Sequence, residues 1–64
     1  MNAAKTGVRL LHDLDEAADL LSISRRVVDR LVRDGELDSV KLGRRRLVPH
    51  EALTEYVDRL VAAS

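Results

Sequence analysis

From Leu14 onward apolar residues return at helical spacing: Leu14, Ala17, Ala18 and Leu21 fall at i, i+3, i+4 and i+7, so one face of a helix over 14–21 is apolar. Asp13 and Glu16 stand in capping-box spacing at its start, and Asp15 and Glu16 suit the positive end of its dipole. The two alanines are small enough to let a second helix approach. Ser22 and Ile23 interrupt the pattern. Ser24 is then placed to cap a second helix, with Ile23 stapled onto Val28. Along that helix Val28, Leu31 and Val32, helped by Val27, face inward, while Arg25, Arg26, Asp29, Arg30 and Arg33 face out. Asp29 and Arg33 are spaced for an acid-first i,i+4 pair worth about 0.2–0.5 kcal/mol. Gly35 ends the helix in the left-handed conformation that glycine tolerates best.

Beyond Leu37 the period changes. Val40, Lys41 and Leu42 alternate as a strand and Arg45 to Val48 form its partner, joined by Gly43-Arg44, a two-residue turn with glycine at its first central position. A two-stranded ribbon is marginal alone, so it is expected to pack on the helices through Val40, Leu42 and one face of the return strand. Pro49 and His50 open a third helix, in which Leu53, Tyr56, Val57, Leu60 and Val61 form a stripe that closes the core. Residues 1 to 9 lack periodicity and read as an arm that either contacts DNA or has no role; residues 10 to 64 form the domain. The predicted fold is mainly α with a small β-hairpin: a winged helix-turn-helix made of helix, turn, helix, two-stranded wing and C-terminal helix.

Length and composition narrow what such a fold can do. Sixty-four residues build one small core, and without cysteine there is neither a disulfide nor a thiolate metal site. His12 and His50 are too few and too far apart in the chain for a convincing zinc site, so neither metal nor cofactor is expected. No apolar run is long enough for a signal peptide or a membrane span, which points to a soluble, cytoplasmic protein. The net charge of zero conceals a dipolar layout. Residues 24 to 46 hold eight basic side chains against four acids, and the balancing negative charge lies in the two flanks. Because salt screens distant charges over about 8–10 Å, it is the central surplus that a partner at this surface meets.

The arginine face of the second helix is either solvated surface or a nucleic-acid reader, and the basic hairpin that follows weighs toward the reader. An arginine fork binds guanine bidentately in the major groove, and a helix entering by its N-terminal end presents Ser24, Arg25 and Arg26 first, followed by Arg30 and Arg33. Lys41, Arg44, Arg45 and Arg46 lie where a wing would meet the sugar-phosphate backbone or a narrow minor groove. Catalysis has no comparable support. Tyr56 is in phase with the third helix's stripe and has no activating base, Ser22 and Ser24 serve a turn and a cap, and no phosphate-cradling glycine loop exists. The chain reads as a non-enzyme with no catalytic residue and no small-molecule substrate.

From Leu11 to Val57 the chain resembles the excisionase-type DNA-binding domain, a small winged-helix relative of the MerR regulators. The resemblance rests on DEAADLLSISRRVVDRLVRDGEL and VKLGRRRLVPHEAL. It departs at Val27 and Asp29, where the family often has threonine and an aromatic residue. The resemblance implies that the second helix reads the major groove through Ser24, Arg25, Arg26 and Arg30, and that Arg44 to Arg46 touch the adjacent minor groove or backbone. It further implies a double-stranded DNA partner, and the small size favours a free-standing phage-type excisionase over a regulator with a dimerisation coiled coil. An excisionase would bind and bend attachment-site DNA in cooperative copies and assist an integrase in excision. A stand-alone transcription regulator of the same fold is the alternative, and a protein-interaction adaptor, whose arginines meet an acidic partner, is a third reading from another class.

Overall fold

The computed structural model describes residues 9–64. Its order is β1 (Leu11–Asp13), α1 (Leu14–Leu21), α2 (Arg25–Arg33), β2 (Val40–Leu42), β3 (Arg45–Pro49) and α3 (His50–Ala63). The arm assigned to residues 1 to 9 lies outside the described residues except for Arg9, whose guanidinium is 3.6 Å from the Glu16 carboxylate. Helix boundaries and caps follow the expected chemistry. Asp13 Oδ1 accepts from the Glu16 N–H at 2.7 Å, and Ser24 Oγ accepts from the Val27 N–H at 3.2 Å. At the other ends, Ile23 N–H donates to Ala18 O and Glu36 N–H to Leu31 O, the six-residue closure of a Schellman motif in both helices. Gly35 supplies the left-handed residue of the second motif (φ 79°), but Ser22 does so in the first (φ 61°), at a steric cost of roughly 1–2 kcal/mol for a residue with a Cβ.

Leu11–Asp13 is an element with no counterpart in the sequence reading. It pairs antiparallel with β3, in register Leu11 with Pro49 and Asp13 with Leu47, so the β2–β3 wing is part of a three-stranded sheet ordered β1-β3-β2 rather than a free-standing ribbon. A three-residue strand carries no period to detect; tertiary pairing alone defines it. It also changes how the wing is held. Val40 and Leu42, expected to anchor the ribbon, are 43% and 64% exposed, whereas Leu47 and Val48 of the central strand are buried. Paired residues share a face, so His12, Val48, Arg46 and Lys41 lie on one side of the sheet and Asp13, Leu47, Val40, Arg45 and Leu42 on the other. Val48 belongs to the core and Leu47 is buried outside that cluster.

The core is small and aliphatic: Ala17 and Ala18 from α1, Val28 and Leu31 from α2, Leu37 from the connection, Val48 from β3, and Ala52 and Leu53 from α3. Ala17 and Val28 are fully buried, which realises the close α1–α2 approach that the alanines permit. Val27, Val32 and Tyr56 pack against this cluster from its edge. The expected stripe of α3 is only half used. Val57, Leu60 and Val61 are 41–68% exposed, because the helix runs on after Leu53 and Tyr56 past the elements that could cover it. A groove of about 330 Å³, lined by Leu20, Leu21, Leu53 and Val57 among others, stays open between α1 and α3.

The two histidines, distant in sequence, are in contact. Leu10 O accepts from the His50 N–H at 2.8 Å, and the β1–β3 pairing sets buried His12 beside the start of α3, with His12 Nε2 2.9 Å from His50 Nδ1. Glu16 Oε1 is 3.1 Å from His12 Nδ1, within ion-pair distance but without the alignment of a hydrogen bond. Among the described residues no group of three or more histidine, cysteine, aspartate or glutamate side chains is arranged to hold a metal ion.

Candidate nucleic-acid interface

Every basic residue singled out in the sequence is exposed, on two adjoining elements. Ser24 caps α2, and Arg25, Arg26, Arg30 and Arg33 project from it, opposite the buried Val28 and Leu31. Lys41 lies on β2, Arg45 and Arg46 on β3, and Arg44 in the turn between them. Gly43 has φ 62° while Arg44 has none of the positive φ that a turn with two left-handed residues would need, so the glycine alone absorbs the unusual backbone geometry. Helix and wing meet along a cleft lined by Leu14, Asp29, Val32, Arg33, Ser39 and Arg46. One arginine from each element therefore borders the same concavity.

The triple-arginine run is not one surface. Alternation along β3 sends Arg46 to the side of the sheet facing α2 and Arg45 to the opposite side, with Arg44 at the tip. Their neighbours differ accordingly. Arg46 Nη1 donates to Ser39 Oγ at 2.9 Å, and Arg45 Nη2 is 3.8 Å from Asp13 Oδ2. Lys41 and Arg46 are direct cross-strand partners. Like charges set opposite each other destabilise a sheet, so this pair costs stability that a polyanion bound across it would return.

On α2 the ion pairing differs from the acid-first pair the sequence suggested. Asp29 reaches back to Arg25, with Arg25 Nε donating to Asp29 Oδ1 at 3.0 Å, while Arg33 Nε is 3.9 Å from Asp34. The reason is tertiary. Arg25 Nη1 also donates to Asp15 Oδ1 on α1 at 2.8 Å, and a guanidinium held there presents its Nε to Asp29 one turn on. The Asp15 bond first, and the Asp29 bond next, raise the Arg25 pKa above the ordinary arginine value. The position of Asp15 in the first turn of α1 suits the helix dipole; its second role depends on the α1–α2 crossing, and nothing local in the sequence shows it. The remaining unexpected tie is Arg59, which stacks 5.8 Å over the Tyr56 ring and donates to the Glu36 carbonyl, fastening α3 to the end of α2.

Residues 13–60 match the helix-turn-helix domain family. The chain belongs to that family. Within this helix-turn-helix domain, α1 and α2 are the paired helices and β2–β3 the wing, the arrangement of an excisionase-type DNA-binding domain. Over 54 residues, 84% of the chain, it is 41% identical to a protein of Saccharopolyspora erythraea named "Probable excisionase". Over 41 residues, 64% of the chain, it is 54% identical to "Putative antitoxin VapB50" of Mycobacterium tuberculosis (strain ATCC 25618 / H37Rv). The chain spans about half the length of the first relative and a third of the second, 55% and 32%. No solved structure matches it. None of its described helices is long and apolar enough to cross a membrane.

Proposed function

We propose that this helix-turn-helix domain is a sequence-specific, architectural DNA-binding protein acting as an excisionase, with no chemistry of its own. The observation that carries the reading is the shared cleft between α2 and the wing, which Arg33 and Arg46 both line, with Arg26, Arg30 and Arg44 exposed on the same helix and wing. In this reading α2 enters the major groove with Ser24, Arg25, Arg26, Arg30 and Arg33, while Lys41, Arg44, Arg45 and Arg46 hold the flanking backbone or minor groove. The name carried by the Saccharopolyspora erythraea relative supports the excision role.

One helix and one small wing give a footprint too limited for tight specific binding by a single copy, so several copies load cooperatively on neighbouring sites. Each deforms its DNA, and because smooth bending by 40–90° costs on the order of 1–6 kcal/mol, copies that share the cost hold attachment DNA in the curved form an integrase requires. The acidic flanks of one copy face the basic centre of the next. The test is recombination reconstituted with a cognate integrase, together with footprinting of the attachment site. Regularly spaced protection with stimulated excision is the expected result. Protection of a single promoter site, with excision and integration both unaffected, replaces this reading with that of a transcription regulator. What supports keeping that second reading is the name of the other relative, a putative antitoxin and not an excisionase.

A further inference from the structure

The Arg25 guanidinium is engaged on two sides. An arginine offers acceptors two flat edges, Nε with Nη2 and Nη1 with Nη2, and a guanine or a phosphate bound bidentately needs one whole edge. Asp29 holds Nε at 3.0 Å and Asp15 holds Nη1 at 2.8 Å, leaving Nη2 the one nitrogen of Arg25 with no partner among the described residues. A bidentate acceptor, guanine O6 with N7 or two phosphate oxygens, must therefore displace Asp29 from the first edge or share Nη1 with Asp15 on the second. The contacts are open to such an exchange, since the Arg25, Asp29 and Asp15 side chains are 47%, 50% and 77% exposed. Neighbouring Arg26 and Arg30 make no ion pair among the described residues, so the clamp is particular to Arg25.

We propose that Asp15, outside the reading helix, is a specificity-determining residue: with Asp29 it keeps Arg25 occupied, so that Arg25 engages DNA only where the site offers an acceptor pair that outcompetes a carboxylate. Ordinary phosphate contacts on unrelated DNA do not repay the exchange fully, and a correctly placed guanine does. Asp15 thereby lowers non-specific binding more than specific binding. This inference rests on the reading that α2 enters the major groove.

The test uses the duplex that the wild-type protein enriches from a random pool and a scrambled duplex of the same composition. Asp15→Asn keeps the shape of an exposed side chain and removes its charge; melting by circular dichroism checks that the fold persists. Because an exposed ion pair is worth only a small free energy, the expected gain is about two- to fivefold in affinity for the scrambled duplex, with a smaller gain on the selected one, so that the ratio between them falls. In an Arg25→Ala background the same substitution should change neither affinity beyond the small shift common to both duplexes. An equal gain with and without Arg25 would overturn the proposal, since Asp15 would then act as a general repulsive charge. An Arg25→Ala variant that binds both duplexes like the wild type overturns it as well. In that case Arg26→Ala and Arg30→Ala decide the underlying reading: loss of discrimination in either keeps α2 as the reader without the clamp, and unchanged ratios in both remove α2 as the reader.

Discussion

Arg44 at the tip of the wing gives the sharpest test of how the domain grips DNA. It occupies the second central position of the β2–β3 turn, is exposed, and makes no ion pair among the described residues, so all of its charge is available to a phosphate. Neutralising one DNA phosphate changes the slope of log affinity against log salt by about 0.9, so over a fourfold rise, from about 50 to 200 mM, each contact accounts for about a 3.5-fold loss. Arg44→Ala should bind every duplex more weakly, lose one such factor, and leave the preference between sequences intact. Arg46→Ala should match it, because the Ser39 hydroxyl orients Arg46 without neutralising it. Arg45→Ala should change the slope less, since Asp13 lies 3.8 Å from Arg45 and already offsets part of its charge. Fluorescence anisotropy at four or more salt concentrations reads the slopes. Surface substitutions of this kind usually alter stability by less than about 0.5 kcal/mol, so thermal melts should overlay the parent's. Parent slopes in all three variants would refute a phosphate-gripping wing, and a changed sequence preference for Arg44→Ala would make it a base reader instead.

Three further predictions concern the scaffold that places this surface. Leu37 is 1% exposed, so Leu37→Ala should cost about 2–5 kcal/mol; in a domain of this size about 3 kcal/mol lowers Tm by roughly 12–24 °C, and a fall of only a few degrees in a thermal melt would show that the site collapses around the smaller side chain. Ser22→Gly should be neutral or stabilising by up to about 1 kcal/mol in urea unfolding, because relief of the left-handed strain offsets the greater entropy of the unfolded chain, whereas Ser22→Val should destabilise; the reverse order would mean that the Schellman geometry is not retained. His12→Ala removes a buried ring beside His50 and Glu16 and should cost about 1–3 kcal/mol, with the β1–β3 pairing loosened; unchanged amide exchange at His50, whose N–H bonds Leu10, would contradict that coupling.

The helices and the basic face were legible in the sequence because each is a local fact. A capping aspartate or serine, a proline ahead of the first turn, an i, i+3, i+4 apolar pattern and a terminal glycine act within a few residues, and they place α1, α2 and the start of α3 with Val28 and Leu31 inside and the arginines outside. The Gly43-Arg44 turn fixed the β2–β3 register for the same reason. What depends on which element lies beside which was decided only by the tertiary structure. Periodicity marks Val57, Leu60 and Val61 as one face of a helix but cannot say that the core ends before them; alternation marks Val40 and Leu42 as partners on a strand face but not that this face looks away from the helices. Leu11–Asp13 becomes a strand solely through β3, and that pairing brings together His12 and His50, 38 residues apart. The identity of Arg25's partners follows the same rule: its neighbour four residues on is readable, but Asp15, ten residues back on another helix, reaches Nη1 only because two buried alanines let α1 and α2 cross closely. Local chemistry thus determined what each segment is, and packing decided what each side chain touches.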